Sequence, residues 1–148
     1  MADDIEISSE SLSRRDERAL VFHVLYVMES FDYDIPFEGL LENFKRGFSI
    51  EIPLDSEVAK ISRAIIENRA ELDEAIKPYL ANWRFERISV TTKLILRLAV
   101  WELKLGSTAP TIIINEAIEL AKCFAETDAY RFVNGILDAM AKEKAATE

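Results

Sequence analysis

SVTTKLILRLAVWELKLG, residues 89–106, is the stretch that decides the fold. Ser89 is a residue type whose hydroxyl accepts from the free N–H groups of a helix start, and Gly106 one that closes a helix in the left-handed conformation. Between them, residues 94–105 are apolar apart from Arg97, Glu102 and Lys104. That run is too short and too charged to span a bilayer. A helix apolar nearly all round belongs in the middle of a helical bundle. Arg97 must then find a carboxylate or an exposed edge, since an unpaired buried charge is costly. A structural ion pair is the plainer reading, a binding role the other.

The same period runs outward in both directions. Downstream, Pro110 suits the first position of a helix whose inward face is Ile113, Ile114, Ala117, Ile118, Leu120, Ala121 and Phe124. Thr127 and Asp128 cap a final helix with Val133, Ile136, Leu137 and Met140 inward. Upstream, Pro53 leads into Leu54, Val58, Ile61, Ile65, Leu72 and Ile76, with a break open near Asn68 and Pro78 as the stop. Residues 31–35 read as a turn. Pro36 then suits the first position of a short helix ending at Gly47 as its left-handed cap. Ser13 followed by Asp16 resembles a capping box that starts the first helix, with Leu20, Val21, Val24, Leu25 and Met28 on its core face. The pattern predicts an all-α fold, a compact helical bundle of about six to seven helices. Residues 1–12, with Asp3, Asp4, Glu6 and Glu10 and no apolar period, read as a mobile acidic tail before a single domain at 13–145.

Composition narrows the function. With 49% apolar and 30% charged residues in a chain of 148, the sequence can bury a core without a disulfide or a metal. Its one cysteine, Cys123, cannot bridge internally, and with no signal peptide this predicts a soluble protein of the reducing cytoplasm, with no membrane contact. A net charge of −9 argues against bulk attraction to nucleic acid, so any RNA contact must come from a local patch. Catalytic groups are scarce. His23 is the only histidine, too few for a zinc site, and a Cys123–His23 pair is outweighed by ordinary packing of a helical thiol. Glu116 and Glu119 look like half of a di-iron ligand set without its histidine. The glycines form no phosphate-cradling loop. These readings predict no catalytic residues, no metal and no cofactor: a protein that is not an enzyme and works by binding.

Two places ask for a partner. Arg14 and Arg15 sit in the first turn of a helix, where the macrodipole disfavours positive charge. At about 100° per residue, Arg15, Arg18, Phe22 and Tyr26 form one stripe beside the core face, and Asp16 points nearly the other way. Guanidinium groups and rings in a row suit a single RNA strand, the charges meeting phosphates and the rings stacking bases. The plainer reading is a solvated basic end with two core aromatics. In the last helix Arg131 points outward beside a marginal Phe132, and Gly135 lies on the outer side, where it costs about 1 kcal/mol relative to Ala unless something approaches closely. Ordinary packing of Phe132 at the bundle's edge is the competing reading. Trp83 and Trp101 read as core, with Trp101 in reach of a surface groove.

These residues fall in blocks that resemble the NusB-type transcription antitermination factors. Arg14-Arg15-Asp-Glu-Arg18 with Leu25-Tyr26 is similar to the family's opening. The similarity continues through Lys77-Pro78-Tyr79-Leu80, Trp83, Glu86-Arg87-Ile88 and the dense run from Ile95 to Leu103. It ends with Pro110, the Ile114-to-Lys122 block and Phe132-Val133-Asn134-Gly135-Ile136-Leu137. The blocks come in family order from about Ser13 to Met140. The resemblance implies two small helical subdomains. It also implies binding of single-stranded boxA-like RNA jointly with NusE, a small-subunit ribosomal protein, the pair loading onto the RNA polymerase elongation complex in ribosomal RNA operons. Carried over to this chain, it implies RNA contacts at Arg14, Arg15, Arg18, Arg131 and Phe132, to which the stripe adds Phe22 and the end of the Ile114-to-Lys122 block adds Lys122, and NusE contacts at Tyr26 and near Lys93, with Thr92 beside it standing where relatives commonly carry an acidic residue. Some relatives form homodimers that hide the RNA face, so a homodimer is open here. Two other readings stay beside this one: a protein-only interaction module, and an accessory domain for ribosomal RNA modification.

Overall fold

The computed structural model describes residues 7–147, and the acidic positions Asp3, Asp4 and Glu6 of the expected tail lie outside them. The described residues are helical as expected, with seven α-helices and one two-stranded parallel pair, and they divide into two compact units at the Glu67–Asn68 junction.

The first unit holds α1 (Arg14–Ser30), α2 (Phe37–Phe48) and α3 (Glu57–Glu67). α1 starts as its cap predicts, the Ser13 hydroxyl accepting the Asp16 N–H at 3.2 Å. It packs on α3 and α2, and Leu20, Val21, Val24, Leu25 and Met28 are all buried, as are Leu40, Leu41 and Phe44 of α2 and Val58, Ala59 and Ile65 of α3. Fully burying each large aliphatic or aromatic side chain contributes about 1.5–3 kcal/mol. Three expectations are corrected. α2 runs through Gly47 and closes at Ser49, which takes the left-handed conformation at φ 54°. Leu54 is exposed, because α3 begins only at Glu57. Within the segment expected as tail, β1 (Ile7–Ser8) pairs in parallel with β2 (Ile50–Glu51), and residues 9–11 form a single 3-10 turn.

The second unit holds α4 (Arg69–Ile76), α5 (Val90–Leu105), α6 (Pro110–Phe124) and α7 (Ala129–Thr147). α5 packs against the other three, and its residues 94–100 are buried without interruption, the central position its composition predicts. Ser89 caps its start by accepting the Thr92 N–H at 3.3 Å, and Gly106 closes it at φ 76°. Arg97 is paired as expected: Nε donates to Asp73 Oδ1 at 2.6 Å and Nη2 to Oδ2 at 2.8 Å, a two-pronged bond from α5 to α4. α4 ends at Ile76 before Pro78. On α6, Ile113, Ala117, Leu120 and Ala121 are buried, whereas Phe124 is 39% exposed, a position expected inward that faces solvent in the helix's last turn. No helix among the described residues is long and apolar enough to cross a membrane.

Candidate nucleic-acid interface

In the first unit the start of α1 presents Arg14 and Arg15 at the surface. Arg14 lies 3.9 Å from Glu17, a loose pair that leaves its side chain 64% exposed. The rest of the expected stripe is divided. Tyr26 is 45% exposed, but Arg18 and Phe22 are buried, at 8% and 2% exposure. This corrects the expectation that both meet RNA directly from this surface. A helical wheel gives the angle between side chains but not the width of the covered arc, and on α1 that arc reaches beyond Leu25 to include Arg18 and Phe22. Phe22 packs its ring against His23 and Tyr26, with centroids 5.4 and 6.3 Å away. His23 is exposed at the surface, and partial desolvation beside its neighbours lowers its pKa from the ordinary value.

In the second unit the charges gather at the start of α7. Two cations approach the Tyr130 ring: Lys122 Nζ is 5.0 Å from its centroid and the Arg131 guanidinium 5.7 Å. Arg131 Nε also donates to the Tyr130 hydroxyl at 3.1 Å, and this bond, with the Asp128 carboxylate 3.8 Å away, holds the exposed guanidinium in its charged form. Phe132 is half-buried and meets Trp83 edge-to-face at 5.7 Å. Trp83 is 61% exposed, which overturns its expected place in the core. It sits in a connector between α4 and α5, where no helical period constrains it.

Beside this pair is a cleft of about 310 Å³ lined by Trp83, Arg87, Glu126 and Phe132, among others. Its wall is a small hydrogen-bonded set at the start of α5. The Ser89 and Thr92 hydroxyls donate to the Glu126 carboxylate at 2.9 and 3.2 Å, an arrangement the α5 macrodipole favours. Thr92 is therefore committed inside the unit, at 1% exposure, and is no surface contact for a partner, which corrects its expected role. Lys93 is half-buried, with its ammonium 4.7 Å from the Phe85 ring centroid.

The structure thus brings Lys122 and Arg131 to one ring, that of Tyr130, and sets Phe132 against Trp83 at the cleft that Glu126 lines; Tyr130, Trp83 and Glu126 are residues that the sequence reading did not select. Trp83 and Glu126 carry no periodic signal, because they come from a connector and from the turn between α6 and α7, whereas Tyr130 is a half-buried residue in the first turn of α7.

Comparison with known proteins agrees with this arrangement of helices. A profile described as the NusB family matches residues 15–142. The chain belongs to the NusB family. The transcription antitermination protein NusB of Staphylococcus haemolyticus is 34% identical over 126 residues, covering 85% of this chain and 97% of that one. NusB of Staphylococcus aureus strain RF122 is 33% identical over 132 residues, 88% of this chain and all of that one. Among solved structures, T. maritima NusB superimposes with a TM-score of 0.76 at 35% identity, covering 89% of this chain and 92% of that one. A crystal structure described as a plectonemic RNA supercoil contains a chain with a TM-score of 0.76 at 27% identity, covering 91% of this chain and 98% of that one.

Proposed function

We propose that this chain is an RNA-binding transcription antitermination adaptor. It takes up boxA-type single-stranded RNA together with NusE and supports processive transcription of ribosomal RNA operons through the RNA polymerase elongation complex. It acts in the cytoplasm by binding and catalyses no reaction. The observation that carries this reading, within the NusB family, is the cluster at the start of α7. There Lys122 and Arg131 both meet the Tyr130 ring, and Phe132 on the same helix packs against the exposed Trp83. Cations meet phosphates and aromatic faces stack bases, and together they bind a single strand despite a net charge of −9. Arg14 and Arg15 on the first unit supply further phosphate contacts, and Tyr26 and Lys93 serve the NusE side.

A gel-shift titration with boxA and scrambled RNA, with and without NusE, tests the reading. Wild-type protein is expected to prefer boxA and to gain affinity with NusE. Replacing Arg14 and Arg15 together by Ala is expected to weaken binding and to flatten the logarithmic salt slope by about 1.4, the effect of two lost phosphate contacts on a single strand. Binding unchanged by both the substitution and the scrambling would sink the reading. The burial of Arg18 and Phe22 favours one competitor, a protein-only module that binds NusE. That module would show NusE binding with no gain from boxA.

A further inference from the structure

The cleft between Trp83 and the start of α5 has a use that the cationic cluster does not exhaust. Trp83 leaves most of a large ring in solvent, although an indole normally gains by burial. It is held there by local structure. Ala81 takes a left-handed φ of 54°, the Trp83 N–H bonds back to the Leu80 carbonyl at 2.9 Å, and Phe132 meets the indole edge-to-face. The ring is therefore a fixed wall of the cleft. The volume of about 310 Å³ is at the small end for ligand pockets, enough for one planar ring system.

The polar part of the cleft decides what enters. Glu126 and Asp128 both line it, so a phosphate is repelled, while Arg87 lines the same cleft and is open at the surface for backbone charge. The Glu126 carboxylate is fixed by the two hydroxyls of Ser89 and Thr92, yet each of its oxygens has more than one acceptor site. A fixed carboxylate selects base edges that donate. Guanine offers two adjacent donors, its ring N1–H and exocyclic N2–H. Uracil offers one N–H between two carbonyls, which a carboxylate disfavours.

We infer that this cleft is a nucleobase slot, with Trp83 stacking one base of the bound RNA and Glu126 selecting guanine at that position. The slot rests on the RNA-binding reading above and adds a specificity element to it. The test uses the full chain and uridine oligomers of roughly twelve nucleotides carrying one central guanosine, one inosine or neither. Inosine keeps the ring N–H and lacks the exocyclic amine. Wild type is expected to bind the guanosine oligomer about tenfold more tightly than the inosine one, the size of one lost hydrogen bond to a charged group. Trp83→Ala is expected to lose about tenfold or more for guanosine RNA. Trp83→Phe keeps a stacking face, so it should bind within a few-fold of wild type while losing the RNA-induced change in indole emission. Glu126→Gln should erase the guanosine–inosine difference.

Equal affinity of Trp83→Ala and wild type, or no guanosine preference in wild type, would overturn the slot while leaving boxA binding intact. Failure of wild type to bind any RNA, with or without NusE, would overturn both readings.

Discussion

Asp128 combines two features that pull in different directions. Its backbone is left-handed, at φ 70°, which Asp and Asn tolerate better than most residues, and its carboxylate lies 3.8 Å from the outward guanidinium of Arg131. Asn keeps the backbone preference and removes the charge. Asp128→Asn is therefore expected to fold as wild type does and to bind RNA up to about fivefold more tightly, the equivalent of an exposed ion pair's 0.2–1 kcal/mol. A filter-binding titration checks this, and equal or weaker affinity would refute the placement of Arg131 on the RNA surface. At this scale the sequence is an uneven guide. Arg131 was legible because it stands opposite the buried Val133, whereas Arg18 and Phe22 were not, because period alone does not reveal how far the covered arc of α1 extends. Trp83 was misread for the opposite reason: large rings are usually core, and a connector gives no angle to correct that prior.

Helices were far more legible than sites. Ser13, Ser89 and Gly106 mark ends that the structure reproduces, since a cap is a local bond between residues close in sequence. The α2 terminus escaped because Ser49, two residues past the glycine, takes the left-handed turn. Arg97 needed a partner, but the sequence could not say that Asp73, 24 residues earlier, supplies it. Their two-pronged bond joins α4 to α5, with the side chains only 9% and 16% exposed. Asp73→Ala removes both prongs of this bond from a largely buried guanidinium, and is expected to destabilise the fold by up to about 3–5 kcal/mol in urea denaturation. Replacing both residues with apolar ones of similar volume should restore most of that loss. If the single substitution costs no more than a surface change, the pair is not the tie described here.

For the molecule as a whole, the response to acid has a definite sign. Partial desolvation lowers the His23 pKa, so the unfolded chain takes up a proton near the ordinary value of 6.5 while the folded chain resists it. The unfolded state then binds more protons, and stability rises with pH through that window. The urea midpoint is expected to fall between pH 7.5 and 5.5, and less so in His23→Gln, where this linkage is gone. A midpoint with the same pH dependence in both proteins would rule it out. The whole-molecule charge of −9 was plain from composition, but it did not indicate that positive charge is gathered at two helix starts, α1 and α7.

The Lys144 ammonium donates to the Leu103 carbonyl at 2.6 Å, supplying positive charge where α5 ends. Acetylation of that amine, or its mimic Lys144→Gln, would unclasp the last turns of α7 from the middle helix of its unit. Deuterium uptake should then quicken over residues 141–147 and stay slow along 94–100, which would make the rear of α7 a latch that can be released without melting the hydrophobic interior.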